Sequence, residues 1–362
     1  MKRKILSALL LGGLASPCVL SAENTLNLYN WSDYIDPQAL DNFQTESGLK
    51  VNYSVFDSNE MLESKLMPGR SGYDVVVPSN SFLERQAKAG VYAEIDTTRL
   101  KNYANLDKAL LEKVAVNDPG NRYGVPYAWG TIGLGYNAAA VNQRLGDLPK
   151  DTLDLVFKPE LSAKLKDCGI AILDSPAEIV GIALNYLGLD PNSENKDDLK
   201  RAEDLLKANA GNYSYFHSSR YIADLASGDV CLALGYNGDV LQAGGRAEEA
   251  GNGISIEYAI PREGTLLWFD LMAIPVDAEH KDAAYRFIDF ILTPEAAASI
   301  SNYVYFAVPN TQVMPLLDDA VKTNPGIYPD DAVKAKLFTQ ASHTPKFDRL
   351  LTRSWTNVKT GR

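Results

Sequence analysis

Leu26-Asn-Leu-Tyr-Asn-Trp-Ser-Asp-Tyr-Ile35 reads as a short apolar strand that runs into a polar, aromatic turn. The next fifty residues set the class. Helical spacing from Pro37 to Ser47 stops at Gly48, a strand covers Leu49 to Phe56, a helix Ser58 to Met67, and a strand Tyr73 to Val77. Pro78-Ser79-Asn80-Ser81 then opens another helix with residues favoured as N-caps. Strand and helix in alternation predict an α/β fold, a parallel sheet with helices on its faces. Ligands on such sheets bind beyond the carboxyl ends of the strands. Trp31-Ser32-Asp33 and Pro78-Ser79 fall at those ends.

Tyr123-Gly-Val-Pro-Tyr-Ala-Trp-Gly-Thr-Ile-Gly-Leu-Gly-Tyr136 is a long, glycine-rich, strand-like stretch able to carry the chain from one lobe to another. A second alternating region comes after it: strands at 170–173, 213–216 and 230–234, with helices at 176–187, 197–208 and 219–226 and another after Gly238-Asp239. The stretch 255–260 can make the return crossing, and the remainder is mostly helical. A chain of 362 residues is long for one core. The expected division is residues 23–130 plus 259–305 in an N-terminal lobe and 131–258 plus 306–362 in a C-terminal lobe, with a hinge and a cleft between them.

The first residues are of another kind. Lys2, Arg3 and Lys4 precede an apolar run from Ile5 to Ala15 and small residues ending at Ser21-Ala22, the layout of a secretory signal peptide over 1–22. Cys18 offers a lipid anchor instead, but Pro17 before it fits that poorly. The mature chain is therefore expected to be exported, and is taken as a monomer. Its formal charge is −11, and losing the leader makes it more acidic still. Nucleic acid is disfavoured as a partner, because phosphate binding needs a basic footprint. Cys168 and Cys231 remain after the leader; an even count in an oxidising compartment favours a disulfide, with two buried free thiols as the alternative.

The stretch that carries chemistry is Gly264-Thr-Leu-Leu-Trp-Phe-Asp-Leu-Met-Ala-Ile-Pro275. Read as a strand, it puts Leu266, Trp268, Asp270 and Met272 on one face. A carboxylate buried in such a run is costly without a partner. The indole beside it attracts cations. An organic ammonium ion would answer both; so, more plainly, would a Lys or Arg of the chain itself. The pairing of aromatic and acid recurs after apolar runs: Trp31 with Asp33, Tyr236 with Asp239, and Trp268 with Asp270. Glu178 sits just inside a helix after another strand. Asp33 and Asp239 could instead be helix caps, and Glu178 a helix-dipole partner.

Other motifs lead nowhere. Gly133-Leu-Gly135-Tyr-Asn-Ala138 matches the loose dinucleotide fingerprint but lies in the glycine-rich crossing stretch. His217, His280 and His343 are the only histidines and show no metal-ligand spacing. No catalytic residue, cofactor or metal is nominated.

In Tyr29-Asn-Trp-Ser-Asp-Tyr-Ile35, Phe56-Asp-Ser-Asn-Glu60, Val76-Val-Pro-Ser79, Tyr215-Phe-His-Ser-Ser219, Phe269-Asp270 and Asn324-Pro-Gly-Ile-Tyr-Pro329, the sequence resembles the periplasmic polyamine-binding proteins of ABC importers, the putrescine- and spermidine-binding branch. The likeness extends over most of the mature chain. It implies a two-lobe class II binding-protein fold that closes on its ligand, and an inner-membrane ABC permease as partner. By position it implies Trp31 and Tyr34 against the aliphatic chain, with Ser32, Asp33 and Ser79 at one amine. Glu178, Asp239 and Asp270 would meet the charges further along, and Tyr236, Trp268 and Phe306 would form walls. Cys168 and Cys231 match a disulfide of the family. Tyr236 stands where putrescine-selective relatives often have Trp, and Phe306 where a tyrosine hydroxyl is common. Trp268 matches spermidine-preferring relatives, so spermidine is expected ahead of putrescine. A putrescine-selective protein, a polyamine sensor, and an exported hydrolase using paired carboxylates are the alternatives.

Overall fold

The computed structural model describes residues 24–361. The leader expected at 1–22, with Cys18, lies outside the described residues. The first unit is β1 (Thr25–Trp31), α1 (Pro37–Ser47), β2 (Lys50–Phe56), α2 (Asn59–Leu66), β3 (Val75–Val76) and α3 (Asn80–Lys88). β1 lies between β2 and β3 and runs parallel to both. Asp36 caps α1 by accepting the Gln38 N–H at 2.9 Å, and Gly48 ends it in the left-handed region at φ 68. β3 is shorter than the strand expected over 73–77.

β4 (Gly124–Asn137) carries the chain across. Beyond it come β5 (Ile170–Ile172), α4 (Pro176–Tyr186), α5 (Lys196–Ala210), β6 (Tyr215–Phe216), α6 (Tyr221–Ser227), β7 (Leu232–Tyr236), α7 (Asn237–Ala250) and β8 (Ile256–Ala259). β9 (Leu267–Ala273) returns, and α8 (Pro294–Val304) and α9 (Pro345–Thr360) come later. The strand order is β2-β1-β3-β9-β4-β7-β5-β6, with β8 also on β4. The sets β2-β1-β3 and β7-β5-β6 are parallel, as expected, whereas β8 is antiparallel to β4. β4 is antiparallel to all its neighbours: it pairs with β9 up to Thr131 and with β7 from Ile132. The changeover between lobes is thus one peptide link in an unbroken strand.

β9 shows how tightly its register is specified. Leu266, Trp268, Met272 and Ile274 bury in one core with Leu26 and Leu28. Leu267, Phe269, Leu271 and Ala273 bury in a second core with Tyr29, Phe56 and Val76. A slip of one residue would exchange the two sets and carry Asp270 into an apolar core.

Ala307 bridges to Trp129 and Asn310 to Leu106. Ala307, Val308, Val313, Leu317, Val321 and Ile327 bury with Tyr29, Phe56 and Leu83. The stretch 307–327 packs on strands and helices of the first unit, and the Asn237 amide at the start of α7 donates to its Gly326 carbonyl at 3.1 Å. α9 packs against α4 and α5 of the second lobe. The apolar spacing at 307–327 says that this stretch is buried, and cannot say against which lobe.

Cys168 and Cys231 are joined. They stand just before β5 and β7, which are parallel neighbours, at the strand ends away from the cleft. The two are 63 residues apart in sequence, a closure worth about 4 kcal/mol in the chain-entropy model. Replacing both by Ser is expected to lower the unfolding free energy by about 2–4 kcal/mol and to leave ligand affinity unchanged; urea denaturation and titration of the same variant check both. No helix among the described residues is long and apolar enough to cross a membrane.

Candidate ligand-binding site

At the carboxyl ends of β1 and β7, and across the middle of β9, the two lobes enclose a cavity. It is lined by Trp31, Ser32, Asp33, Tyr34, Ser79, Glu178, Tyr236, Asp239, Trp268, Asp270 and Phe306, all singled out from sequence. Phe56, Asp57, Ser218, Ser219 and Ile222 complete the lining. The stretches around Asp57 and Ser218 are marked in the sequence only by the family likeness. Nothing in the pattern marks Ile222.

The walls are aromatic. Trp268, only 6% exposed, meets Phe306 edge-on at 5.0 Å and Tyr236 at 6.0 Å between ring centres. Tyr34 stands against Phe306 at 5.3 Å. The Trp31 indole N–H donates to the Val77 carbonyl at 2.9 Å, which ties β1 to the end of β3. Trp268 lies against Gly130 of β4, where a Cβ would collide with the indole and with the Asn237 amide. Gly130→Ala is therefore expected to push the indole into the cavity and weaken ligand binding by about tenfold or more. Titration of the variant beside its melting curve checks it, since a purely structural fault would lower only the melting temperature.

Beside Asp33 and Asp57, three buried carboxylates face this cavity, and each accepts from a hydroxyl. Ser79 donates to Asp270 at 2.6 Å, Tyr221 to Asp239 at 2.7 Å, and Tyr236 to Glu178 at 2.7 Å. Ser79 occupies the N-cap position of α3 but makes no side-chain cap bond. Its hydroxyl accepts from the Asn59 amide at 3.0 Å and passes its own proton toward Asp270. Asp239 and Glu178 lie in the first turns of α7 and α4. Glu178 thus keeps its helix-dipole position while also facing the cavity. Asp239 is not a cap, and neither is Asp33, because Asp36 caps α1.

The plain reading of Asp270 does not describe this arrangement. Among the described residues, neither Asp270 nor Glu178 has a basic partner. Asp239 feels Arg246, but that guanidinium stands 3.7 Å from Asp33. Burial pushes Asp270 up to about 7 against the lowering effect of the Ser79 hydrogen bond and the nearby Tyr34 hydroxyl, and the Glu178 charge adds to the rise. Burial likewise lifts Asp239 to about 7 despite Tyr221, and Glu178 to about 6 despite Tyr236 and Ser175. These are carboxylates short of a cation.

Asp33 and Ser32, expected at one amine, stand at the edge of the cavity. Asp33 is exposed, holds a left-handed φ of 53, and answers Arg246 across the cleft. Ser32 donates to Asp57 at 2.7 Å. Both line the cavity, but each already has a partner within the protein. The dinucleotide-like glycines, Gly133 and Gly135, sit inside β4 and form no phosphate-binding turn.

Comparison with known proteins gives a consistent set of relatives. The bacterial extracellular solute-binding protein family matches residues 38–329. Over 100% of the chain, identity is 50% with the putrescine-binding periplasmic protein SpuD of Pseudomonas aeruginosa, covering 100% of that protein. It is also 50% with the putrescine-binding periplasmic protein PotF of Escherichia coli, covering 100% of this chain and 99% of that one. The spermidine/putrescine ABC transporter substrate-binding protein PotD of Streptococcus pneumoniae superposes with a TM-score of 0.78 at 28% identity, over 93% of this chain and 99% of that one.

Proposed function

The chain belongs to the bacterial extracellular solute-binding proteins, and on that premise we propose that it captures putrescine in the periplasm and delivers it to an ABC importer of the inner membrane. The observation that carries this is the set of three buried, cavity-facing carboxylates, Glu178, Asp239 and Asp270, that form no ion pair among the described residues and are enclosed by aromatic rings. A carboxylate about 4 Å from an ammonium gains roughly 4 kcal/mol at an effective dielectric near 20, before desolvation is subtracted. A desolvated aromatic face adds ~2 kcal/mol for a cation. The methylenes between two amines need apolar walls, which Trp268, Phe306 and Tyr34 supply. Binding needs no bond made or broken, in keeping with a family of solute-binding proteins.

The choice of polyamine departs from the spermidine expectation. The two relatives that share half their residues with this chain are named for putrescine, and that weighs more than the single position of Trp268. Spermidine stays as the second reading, because the broad indole at 268 and a third acid at Glu178 would suit a longer, triply charged chain.

Without ligand the carboxylates repel one another, which favours an open cleft; a diamine neutralises them and favours closure about the Thr131–Ile132 crossing. Competition among putrescine, cadaverine, spermidine and spermine tests the choice. Putrescine should lead, and spermidine leading would reverse it. A deletion strain separates importer from sensor: loss of putrescine uptake supports delivery, and intact uptake with a lost response overturns it.

A further inference from the structure

Tyr221 is absent from the cavity lining and only 1% exposed, yet it reaches two elements of the site. Its hydroxyl donates to Asp239 Oδ2 at 2.7 Å and accepts the backbone N–H of Tyr236 at 3.0 Å. A phenol carries one proton. With the Tyr236 N–H already pointing at the oxygen, that proton is committed to Asp239. The ring reaches this position because residue 235 is glycine: a Cβ there would lie 2.5 Å from a Tyr221 ring carbon.

We propose that Tyr221 is a positioning residue of the amine site, holding Asp239 as a hydrogen-bond acceptor at the cleft and locking it to the backbone at Tyr236. The ligand named in the test rests on the putrescine reading; the arrangement of the three groups does not. Other charged and titratable groups surround Asp239 without taking this role. Arg246, about two helix turns along α7, is 3.7 Å from Asp33. Asp33 faces Asp239 from the turn after β1 and repels it. Tyr34 and Tyr236 also feel the Asp239 charge, and the Tyr236 hydroxyl is given to Glu178. Ser79 and Tyr236 hold Asp270 and Glu178 from within the cavity, whereas Tyr221 acts from behind the wall.

Tyr221→Phe tests this with two readouts. One is putrescine affinity between about pH 6 and 9. The other is the titration of the Asp239 carboxyl in ligand-free protein, followed by NMR and assigned with Asp239→Asn. Affinity should fall roughly tenfold near neutral pH and recover in part as the pH is raised, and the Asp239 midpoint should rise by about one unit. A loss equal at every pH with an unmoved midpoint would overturn the proposal and leave Tyr221 a packing residue. If the unaltered protein fails to bind putrescine, the ligand reading falls, while the ligand-free titration still judges Tyr221. Should Tyr221→Phe not fold, Gly235→Ala displaces the same ring; it should raise the same midpoint, and an unmoved midpoint there overturns the proposal.

Discussion

Asp270→Asn is expected to lower putrescine affinity by roughly a hundredfold to a thousandfold, because it deletes a charge that a bound ammonium would face in a water-poor cleft. The same substitution should leave the ligand-free protein as stable near pH 7.5, or slightly more stable. Asp270 is buried and pushed up to about 7, so near pH 7.5 the folded state carries an ionised group that burial disfavours. Asn can still accept the Ser79 hydroxyl proton and brings no charge. Had Asp270 been half of an internal ion pair, removing it would strand a buried base at a cost of about 3–5 kcal/mol. Titration and melting of one variant therefore decide between the two accounts. Unchanged affinity with a large loss of stability would favour the internal pair.

The second large effect is on pH. All three acids are raised in the folded protein, Asp239 and Asp270 from 3.8 to about 7 and Glu178 from 4.5 to about 6. A group raised by folding contributes stability that is full below its unfolded value and is lost as pH rises through its folded value. These acids thus make the ligand-free protein more stable as the pH falls from about 7 toward about 4. Ligand binding runs the other way, since an ammonium needs ionised partners. Affinity should fall by roughly a hundredfold or more between about pH 7.5 and 5.5, near tenfold per unit for each proton taken up. Melting curves with and without putrescine across that range check both signs. Parallel curves, with the ligand's stabilisation constant, would contradict the assignment.

Much of the fold is legible in the sequence where the cause is local. Pro37 and Gly48 delimit α1 at both ends, and the alternation in 264–275 separates two cores. Gathering the eleven site residues depends on the family likeness, because strand periodicity alone says which face a residue takes and not what lies across the cleft. The partners that local pattern cannot supply have long-range causes. Ser79 has the local signature of a helix cap, but a carboxylate 191 positions away claims its hydroxyl. Asp33 finds Arg246, and Asp239 finds Tyr221, which no motif marks. Trp268 is expected from the sequence as a wall of the site; buried as it is against Phe306 and Gly130, its replacement by Ala would also cost about 3–5 kcal/mol of stability. Selectivity among polyamines is a small difference spread over many contacts, and one aromatic position is a poor guide to it.

The most direct test is calorimetric titration of the ligand-stripped protein with putrescine near pH 6.5, repeated in buffers of different ionisation enthalpy. The account predicts one-to-one binding with a Kd of about 1 μM or tighter, accompanied by net proton release as Asp239 and Asp270 ionise around the amines. Absence of binding at millimolar putrescine, or tight binding with no protons released, would contradict it.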